Sequence, residues 1–252
     1  MAIALTTLVE EAERFLGASR ISDYCPNGLQ VEGRPQVRRI VSGVTASQAL
    51  LDAAVEAEAD VVLVHHGYFW KGENPCVVGI KQRRLKTLLT NDISLLAYHL
   101  PLDVHPEVGN NVQLARKLDI TVEGPLEPDN PRTVGLIGSL AEPLTPRDFA
   151  RRVQDVLGRE PLLVEGSGMI RRIGWCTGGG QGYIDTAIAA GVDLYLTGEA
   201  SEQTFHSARE NGISFIAAGH HATERYGVQA LGDYLARRFA IEHLFIDCPN
   251  PI

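Results

Sequence analysis

Aromatic residues make up only 6% of this 252-residue sequence, and no apolar run reaches a membrane-spanning length, for which roughly 18 residues are needed. The four cysteines, Cys25, Cys76, Cys176 and Cys248, never form a C-x-x-C pair. That excludes a zinc ribbon and a thioredoxin-type motif, and leaves most of them as small buried hydrophobes in a reducing compartment. Basic charge is also scarce, with 23 Lys and Arg against 31 Asp and Glu and a net charge of −8. A broad footprint for duplex nucleic acid needs clustered cations and is excluded on that ground. A small polar substrate stays open, including an anionic nucleotide, because a bound metal pair adds positive charge that no side-chain count includes. The N-terminus lacks the basic start and apolar stretch of a signal peptide. Thr7 and Glu10 instead have the spacing of a capping box at the head of an amphipathic helix. The expected location is cytoplasmic. What the sequence does have is 44% apolar residues, enough for one large domain or two small ones with real cores.

The chain also contains itself twice. Val37-Arg38-Arg39-Ile40 recurs as Ile170-Arg171-Arg172-Ile173, an offset of 133 positions. The same offset aligns Leu51-Asp52-Ala53-Ala54-Val55 with Ile184-Asp185-Thr186-Ala187-Ile188, and Asp60-Val61-Val62-Leu63-Val64 with Asp193-Leu194-Tyr195-Leu196-Thr197. Further on, Asn91-Asp92-Ile93-Ser94 answers Asn211-Gly212-Ile213-Ser214 at an offset of 120, which puts about 13 extra residues in the first copy between Val64 and Asn91. Short apolar runs alternating with helical patterns read as β-α-β units. The fold class expected is α/β: an internal duplication of two similar β-α-β lobes with mostly parallel or mixed sheets and a metal site in the cleft between them. The lobes are expected at residues 1–123 and 133–252, joined by a Gly- and Pro-rich linker at 124–132, with the C-terminal segment packing back on the first lobe. Thr133 to Leu140 reads as a strand, and Thr145-Pro146 as an N-cap followed by proline at the first helical position.

Ligands of open α/β sheets collect beyond the carboxyl ends of the strands, and the unusual residues lie there. The first copy runs into His65-His66-Gly67 and then into His99-Leu100-Pro101-Leu102-Asp103. The second runs into Thr197-Gly198-Glu199 and then into Gly219-His220-His221-Ala222-Thr223-Glu224. His65 and His66 would face opposite ways within a regular strand, but they converge where Gly67 turns the chain. His220 and Glu224 share one face if a helix starts there, with His221 turned away. His65, His66, Asp103, His220 and Glu224 are therefore candidate metal ligands. With no thiolate among them they suit divalent Zn, Fe, Mn or Co. Five donors exceed what one open zinc site takes, and suit two ions about 3.5–4 Å apart.

His99, Glu199 and His206 are candidate catalytic proton shuttles. His99 is alternatively a residue that orients a ligand, and Glu199 a solvated glutamate at a helix start. His206 follows Glu199 by seven positions and faces the same way if that segment is one helix. His105 and His243 read as surface or interface residues. Gly178-Gly179-Gly180-Gln181-Gly182, between a strand and a helix, reads as a tight turn, with backbone contact to a phosphate as the alternative. No organic cofactor-binding fingerprint is present.

Asp23-Tyr24-Cys25-Pro26-Asn27-Gly28-Leu29-Gln30, His65-His66-Gly67, His99-Leu100-Pro101-Leu102-Asp103, Thr197-Gly198-Glu199 and the Gly219 to Glu224 segment, taken in order, resemble the motifs of the GTP cyclohydrolase 1 type 2 homologue family, the YbgI-type or NGG1-interacting-factor-three-like proteins. The resemblance covers nearly the whole chain. It implies a duplicated α/β fold, a dinuclear metal site with Glu224 as the bridge between ions, and a ring-shaped assembly, commonly a hexamer built from dimers. Two functions follow from residues and resemblance together. One is a metal-dependent hydrolase acting on a purine nucleotide or related cyclic amide. The alternative is a non-enzymatic metal carrier or metal-dependent regulatory or binding protein.

Overall fold

Residues 2–252 are described by a computed structural model. Along the chain the first elements are β1 (Ile3–Ala4), α1 (Leu5–Leu16), β2 (Gly28–Val31), β3 (Gln36–Val37), β4 (Arg39–Thr45), α2 (Gln48–Glu56) and β5 (Val61–His66). There follow α3 (Gly79–Thr90), β6 (Ser94–Ala97), α4 (Leu100–Asp103), α5 (Asn110–Lys117), β7 (Ile120–Pro125), β8 (Leu136–Leu144) and α6 (Pro146–Leu157). The remainder comprises β9 (Leu162–Val164), β10 (Ile170–Cys176), α7 (Ile184–Ala189), β11 (Leu194–Thr197), α8 (Glu202–Asn211), β12 (Ser214–Ala217), α9 (His220–Thr223), α10 (Arg225–Phe239) and β13 (Glu242–Phe245).

The chain forms two compact units, Met1–Gly109 with Gly227–Pro249, and Asn110–Tyr226 with Asn250–Ile252. These differ from the lobes expected at 1–123 and 133–252. The segment 124–132, expected as a linker, lies inside the second unit, joining β7 to its antiparallel neighbour β8. Its Leu126 is buried in that unit's core, so the Gly- and Pro-rich stretch is a wide hairpin connection.

In the first unit the sheet order is β13-β4-β5-β6-β2. The β13, β4, β5 and β6 strands are parallel and β2 is antiparallel. Val61 and Leu63 join one buried cluster with Ile40 and Leu96, whereas Val62 and Val64 join another with Val41 and Leu95. Successive side chains of a strand leave on opposite faces. With both faces covered, a strand must be apolar throughout, which is why Val61 to Val64 reads as an unbroken run. Leu5, Leu8, Ala12 and Leu16 of α1 meet Val228, Leu231 and Leu235 of α10 on the first of these faces, each set at helical spacing.

The second unit's sheet runs β7-β8-β10-β11-β12-β9, with β10, β11 and β12 parallel. Here Trp175, Leu194, Leu196 and Ile216 cover one face, and Tyr195, Phe215 and Ala217 the other. Trp175 is fully buried, and its Nε1 donates to the Asn111 carbonyl at 3.0 Å, so its polar atom is not stranded in the core.

The duplication is physical. Asp60 accepts hydrogen bonds from the Arg38 and Arg39 amides at 2.7 and 3.1 Å. Asp193 accepts from Arg171 and Arg172 at 2.9 and 2.7 Å. Ser94 Oγ receives the Gly33 amide, and Ser214 Oγ the Gly166 amide. In both units a parallel trio, β4-β5-β6 in one and β10-β11-β12 in the other, carries an antiparallel strand at one edge, β2 and β9 respectively. The repeat also reaches further back, since α1 and α6 are both 12 residues long and both end on a left-handed glycine, Gly17 and Gly158. Most of the extra residues in the first copy form the connection from β5 to α3, residues 67–78, whose counterpart is only 198–201.

Two helix starts differ in an instructive way. Thr145 caps α6 as expected, accepting the Asp148 amide at 3.1 Å with Pro146 in the first turn. By contrast α1 starts at Leu5, and the Thr7–Glu10 box does not form. The Leu5 amide donates instead to Pro35 O, and the β1–β3 pairing delivers the chain into the helix at Ala4, ahead of Thr7.

Candidate metal centre

In the first unit, His65 and His66 close β5 and His99 follows β6. His65 is fully buried, and its Nδ1 lies 2.9 Å from the Tyr98 carbonyl. A carbonyl can only accept, so Nδ1 carries the proton and Nε2 presents a lone pair; Asp103 Oδ1 lies 3.4 Å from that Nε2. His66 Nδ1 is 3.2 Å from the Thr45 hydroxyl. The neighbouring rings of these consecutive histidines have centroids 4.6 Å apart, so they converge from within β5 itself, without leaving the strand at Gly67.

Asp23 ties this half together. Its buried carboxylate accepts from His99 Nδ1 at 2.7 Å, Leu100 N at 2.9 Å, Asn27 Nδ2 at 2.9 Å and Tyr24 N at 2.6 Å. One side chain thus orients the His99 ring and holds the start of α4, the turn that ends in Asp103. Burial would raise the Asp23 pKa, but the His99, Asn27 and Tyr24 hydrogen bonds outweigh it and bring it down to about 2. Asn27 Oδ1 in turn accepts the His99 amide at 2.7 Å. Trp70, whose Nε1 donates to Gly67 O, stands edge-on to the His99 ring at 4.9 Å.

In the second unit, His220 opens α9, and Glu224 caps its end four residues on. The expected sharing of a face holds, with His220 Nε2 lying 3.1 Å from Glu224 Oε2. On the other side of the ring, Nδ1 is 2.6 Å from Glu199 Oε1. Burial alone would lower the His220 pKa, but hydrogen bonds and charge from Glu224 and then Glu199 raise it to about 9. His221 is turned into the protein and buried. Gly178 makes room for the pair. A Cβ there would collide with Glu224 Oε1 and lie 3.0 Å from His220 Nε2, and the φ of +67° is left-handed. The glycine turn after β10 is a braced structure, with Gly178 N donating to Thr223 Oγ1 and Gly180 N to Thr197 Oγ1.

The donor sets fit a divalent cation. Ligating histidines present one nitrogen to the ion and donate the other N–H to a carboxylate or carbonyl behind the ring. His65 has Tyr98 O in that place and His220 has Glu199. Each ring lies beside a buried carboxylate, Asp103 or Glu224, with no thiol among these donors.

The shuttle candidates sort differently from expectation. Glu199 lies behind His220 and orients it. Glu199 also precedes α8, whose N-cap is Ser201, so the seven-residue spacing to His206 is not a helical one. His206 is exposed on α8, with its ring edge against Phe205. His105 and His243 are structural residues, not surface ones. Buried His105 spans Phe15 O and the Glu107 and Val108 amides. His243 bridges Ser42 and Asp233. Asp23 and Asn27 entered the sequence reading only inside the family-like Asp23 to Gln30 motif, with no role assigned, and Thr45 did not enter it. Within that motif, an Asp and an Asn four apart in a stretch without apolar periodicity were the signal for the first two.

Among the described residues no helix is long and apolar enough to cross a membrane. The family model for Duf34/NIF3 (NGG1p interacting factor 3) matches residues 3–251. A Pseudomonas aeruginosa protein called GTP cyclohydrolase 1 type 2 homolog is 85% identical over the full length of both chains. A Haemophilus influenzae protein of the same name is 56% identical over 94% of each. The solved structure of the protein ybgI, described as of unknown function, superposes with a TM-score of 0.95 at 53% identity, covering 99% of this chain and 100% of that one. On these grounds, and with the motif residues placed as described in each unit, the chain belongs to the Duf34/NIF3 (NGG1p interacting factor 3) family.

Proposed function

We propose that this protein is a dinuclear metal-dependent hydrolase of the GTP cyclohydrolase 1 type 2 homologue type, acting on a purine nucleotide or a related cyclic amide. His65, His66 and Asp103 from the first unit would act with His220 and Glu224 from the second as ligands. The observation that carries the reading is the pinning of ring tautomers in both units: Tyr98 O holds the His65 proton on Nδ1, and Glu199 holds that of His220. Two divalent ions so held would supply Lewis acidity and lower the pKa of water.

Around them the chain's own residues have distinct tasks. Glu199 fixes the His220 ring. Asp23 holds His99, a half-buried imidazole beside His65 and His66 able to take or give a proton. Opening a purine imidazole ring needs water addition followed by hydrolysis of a formamide, and both steps need such proton transfers. The names of the relatives support this substrate class. Self-association into a hexamer is part of the same proposal, and sizing in solution tests it.

The deciding experiment is turnover of a nucleotide panel by metal-reconstituted protein, with His65→Ala and Glu224→Ala as controls. Turnover that falls at least 100-fold in both variants is the expected result. Turnover undiminished in both sinks the hydrolase reading. Stoichiometric metal binding with no turnover of any substrate moves the protein to the alternative class, a metal carrier or metal-dependent binding protein.

A further inference from the structure

In each repeat the connection from the first helix to the antiparallel edge strand reaches the carboxyl end of a parallel strand, but the two copies bring opposite charges there. In the first unit it runs from Gly17 to Gly28 and delivers Asp23 to His99, just past β6. In the second it runs only from Gly158 to Leu162 and delivers Arg159 to Gly219, which corresponds to His99 at the offset of 120 and stands just past β12. The antiparallel register, with Leu162 opposite Ala217, carries it there. Asp23 is fully engaged by four donors. Arg159 makes no hydrogen bond or ion pair among the described residues, and its Nη1 is buried with no acceptor.

Packing holds this guanidinium in place. Gly219 has a φ of +102°, and a Cβ there would overlap Arg159 Nη1 and lie 3.0 Å from its Cδ, so a larger residue would push the side chain off the turn. No acid pairs with it: Glu199 and Glu224 both lie against His220, and the adjacent Glu160 is exposed. Arg225 adds a second cation at this end of α6, its Nη2 donating to Leu157 O at 2.7 Å. A half-buried guanidinium without a counter-ion is costly, and an acceptor from outside the chain removes that cost.

We propose that Arg159 anchors an anion site in the second unit and that its ligand is a phosphate group. The planar fork of an arginine matches two phosphate oxygens at once. A nucleotide held there by its phosphate would lie beside the turn that leads into His220. Naming that nucleotide as a substrate rests on the hydrolase reading; the anion site itself needs no metal and no residue of the first unit.

The test uses the full-length, metal-stripped protein, so that no ion captures the anion directly. Inorganic phosphate is the probe and acetate the carboxylate comparison, followed by the Arg159 side-chain N–H resonance and by calorimetry. Phosphate is expected to shift that resonance saturably, with acetate binding more weakly. Arg159→Gln should weaken phosphate binding roughly 10-fold, and Arg159→Lys should recover part of the loss, because it restores the charge without the fork. A resonance that phosphate leaves unmoved, acetate bound as tightly as phosphate, or unchanged affinity in Arg159→Gln overturns the proposal. The resonance is read in the unsubstituted protein, so misfolding of a variant does not remove the test. In metal-loaded protein that turns over nucleotides, Arg159→Gln should raise KM for a nucleoside monophosphate roughly 10-fold and leave KM for the nucleoside unchanged. An unchanged KM for both overturns the proposal and leaves the hydrolase reading standing. Phosphate binding through Arg159 in a protein that turns over nothing upholds the proposal while sinking the hydrolase reading.

Discussion

Asp23, like Glu11, is a carboxylate whose hydrogen bonds expose it to acid. Its folded pKa of about 2 lies below the ordinary 3.8. The stability it contributes is therefore complete above about pH 4 and is lost as the pH falls toward 2. Chemical denaturation of the metal-stripped protein should show this acid limb, and Asp23→Asn should flatten it between pH 4 and 2. An unchanged profile would contradict the proposed hydrogen-bond cluster. Gly178 makes a second prediction at this scale. Alanine there meets both a left-handed backbone and the Glu224 carboxylate. Gly178→Ala should cost on the order of 1–3 kcal/mol of stability, and displacement of Glu224 should weaken metal binding as well. Calorimetric melting and metal titration of the same variant check the two effects separately. Asp23 also marks the limit of reading single residues. His65, His66, Asp103, His220 and Glu224 stood out because they were chemically odd at strand ends, whereas a lone Asp in a polar stretch has many ordinary roles. Only the hydrogen bonds to His99, Leu100, Asn27 and Tyr24 distinguish it.

The repeated strand–helix–strand element was legible because the physics that needs it is local. An aspartate at the head of β5 or β11 must receive two amides of the neighbouring strand, so the Arg-Arg pair and the Asp recur at one offset. The two copies are nonetheless unequal. Asp60 is 3% exposed and also pairs with Arg34 at 2.9 Å, while Asp193 is more open and has no such ion pair among the described residues. Asp60→Ala should therefore destabilise by about 2–3 kcal/mol, since it takes the acceptor from two amides and from one arm of the Arg34 guanidinium, whose other arms still bond to Asp92 O and Asn91 O. Asp193→Ala should cost only about 1–2 kcal/mol. Urea unfolding of both variants tests the order, and equal losses would show that the ion pair adds nothing. The start of α1 was misread for the opposite reason. A capping box is a local signal, but the β1–β3 pairing and the Leu5 to Pro35 hydrogen bond are contacts between segments far apart along the chain, and nothing in Thr7 or Glu10 reports them.

At the scale of the whole molecule, the α/β class and the duplication were readable from periodicity and offset. The unit boundaries were not. The expected cut at 124–132 follows composition, whereas the observed division follows where α5, β7 and α10 find apolar partners. Leu114, Ala115 and Ile120 enter the second unit's core, and Val228, Leu231 and Leu235 the first unit's. Amphipathic segments of this kind show which face they bury but not against what. Metal held by the proposed ligands should raise the protein's stability, because an ion bound only by the folded chain adds to its unfolding free energy. The most direct measurement is the metal content and binding stoichiometry of the purified, unchelated protein compared with the combined His65→Ala, Glu224→Ala variant. Two divalent ions per chain, with at least one lost in the variant and an accompanying fall in melting temperature, is the result predicted. Protein that carries no metal and takes up none, or a variant that binds two ions as tightly as the original, would contradict the central claim.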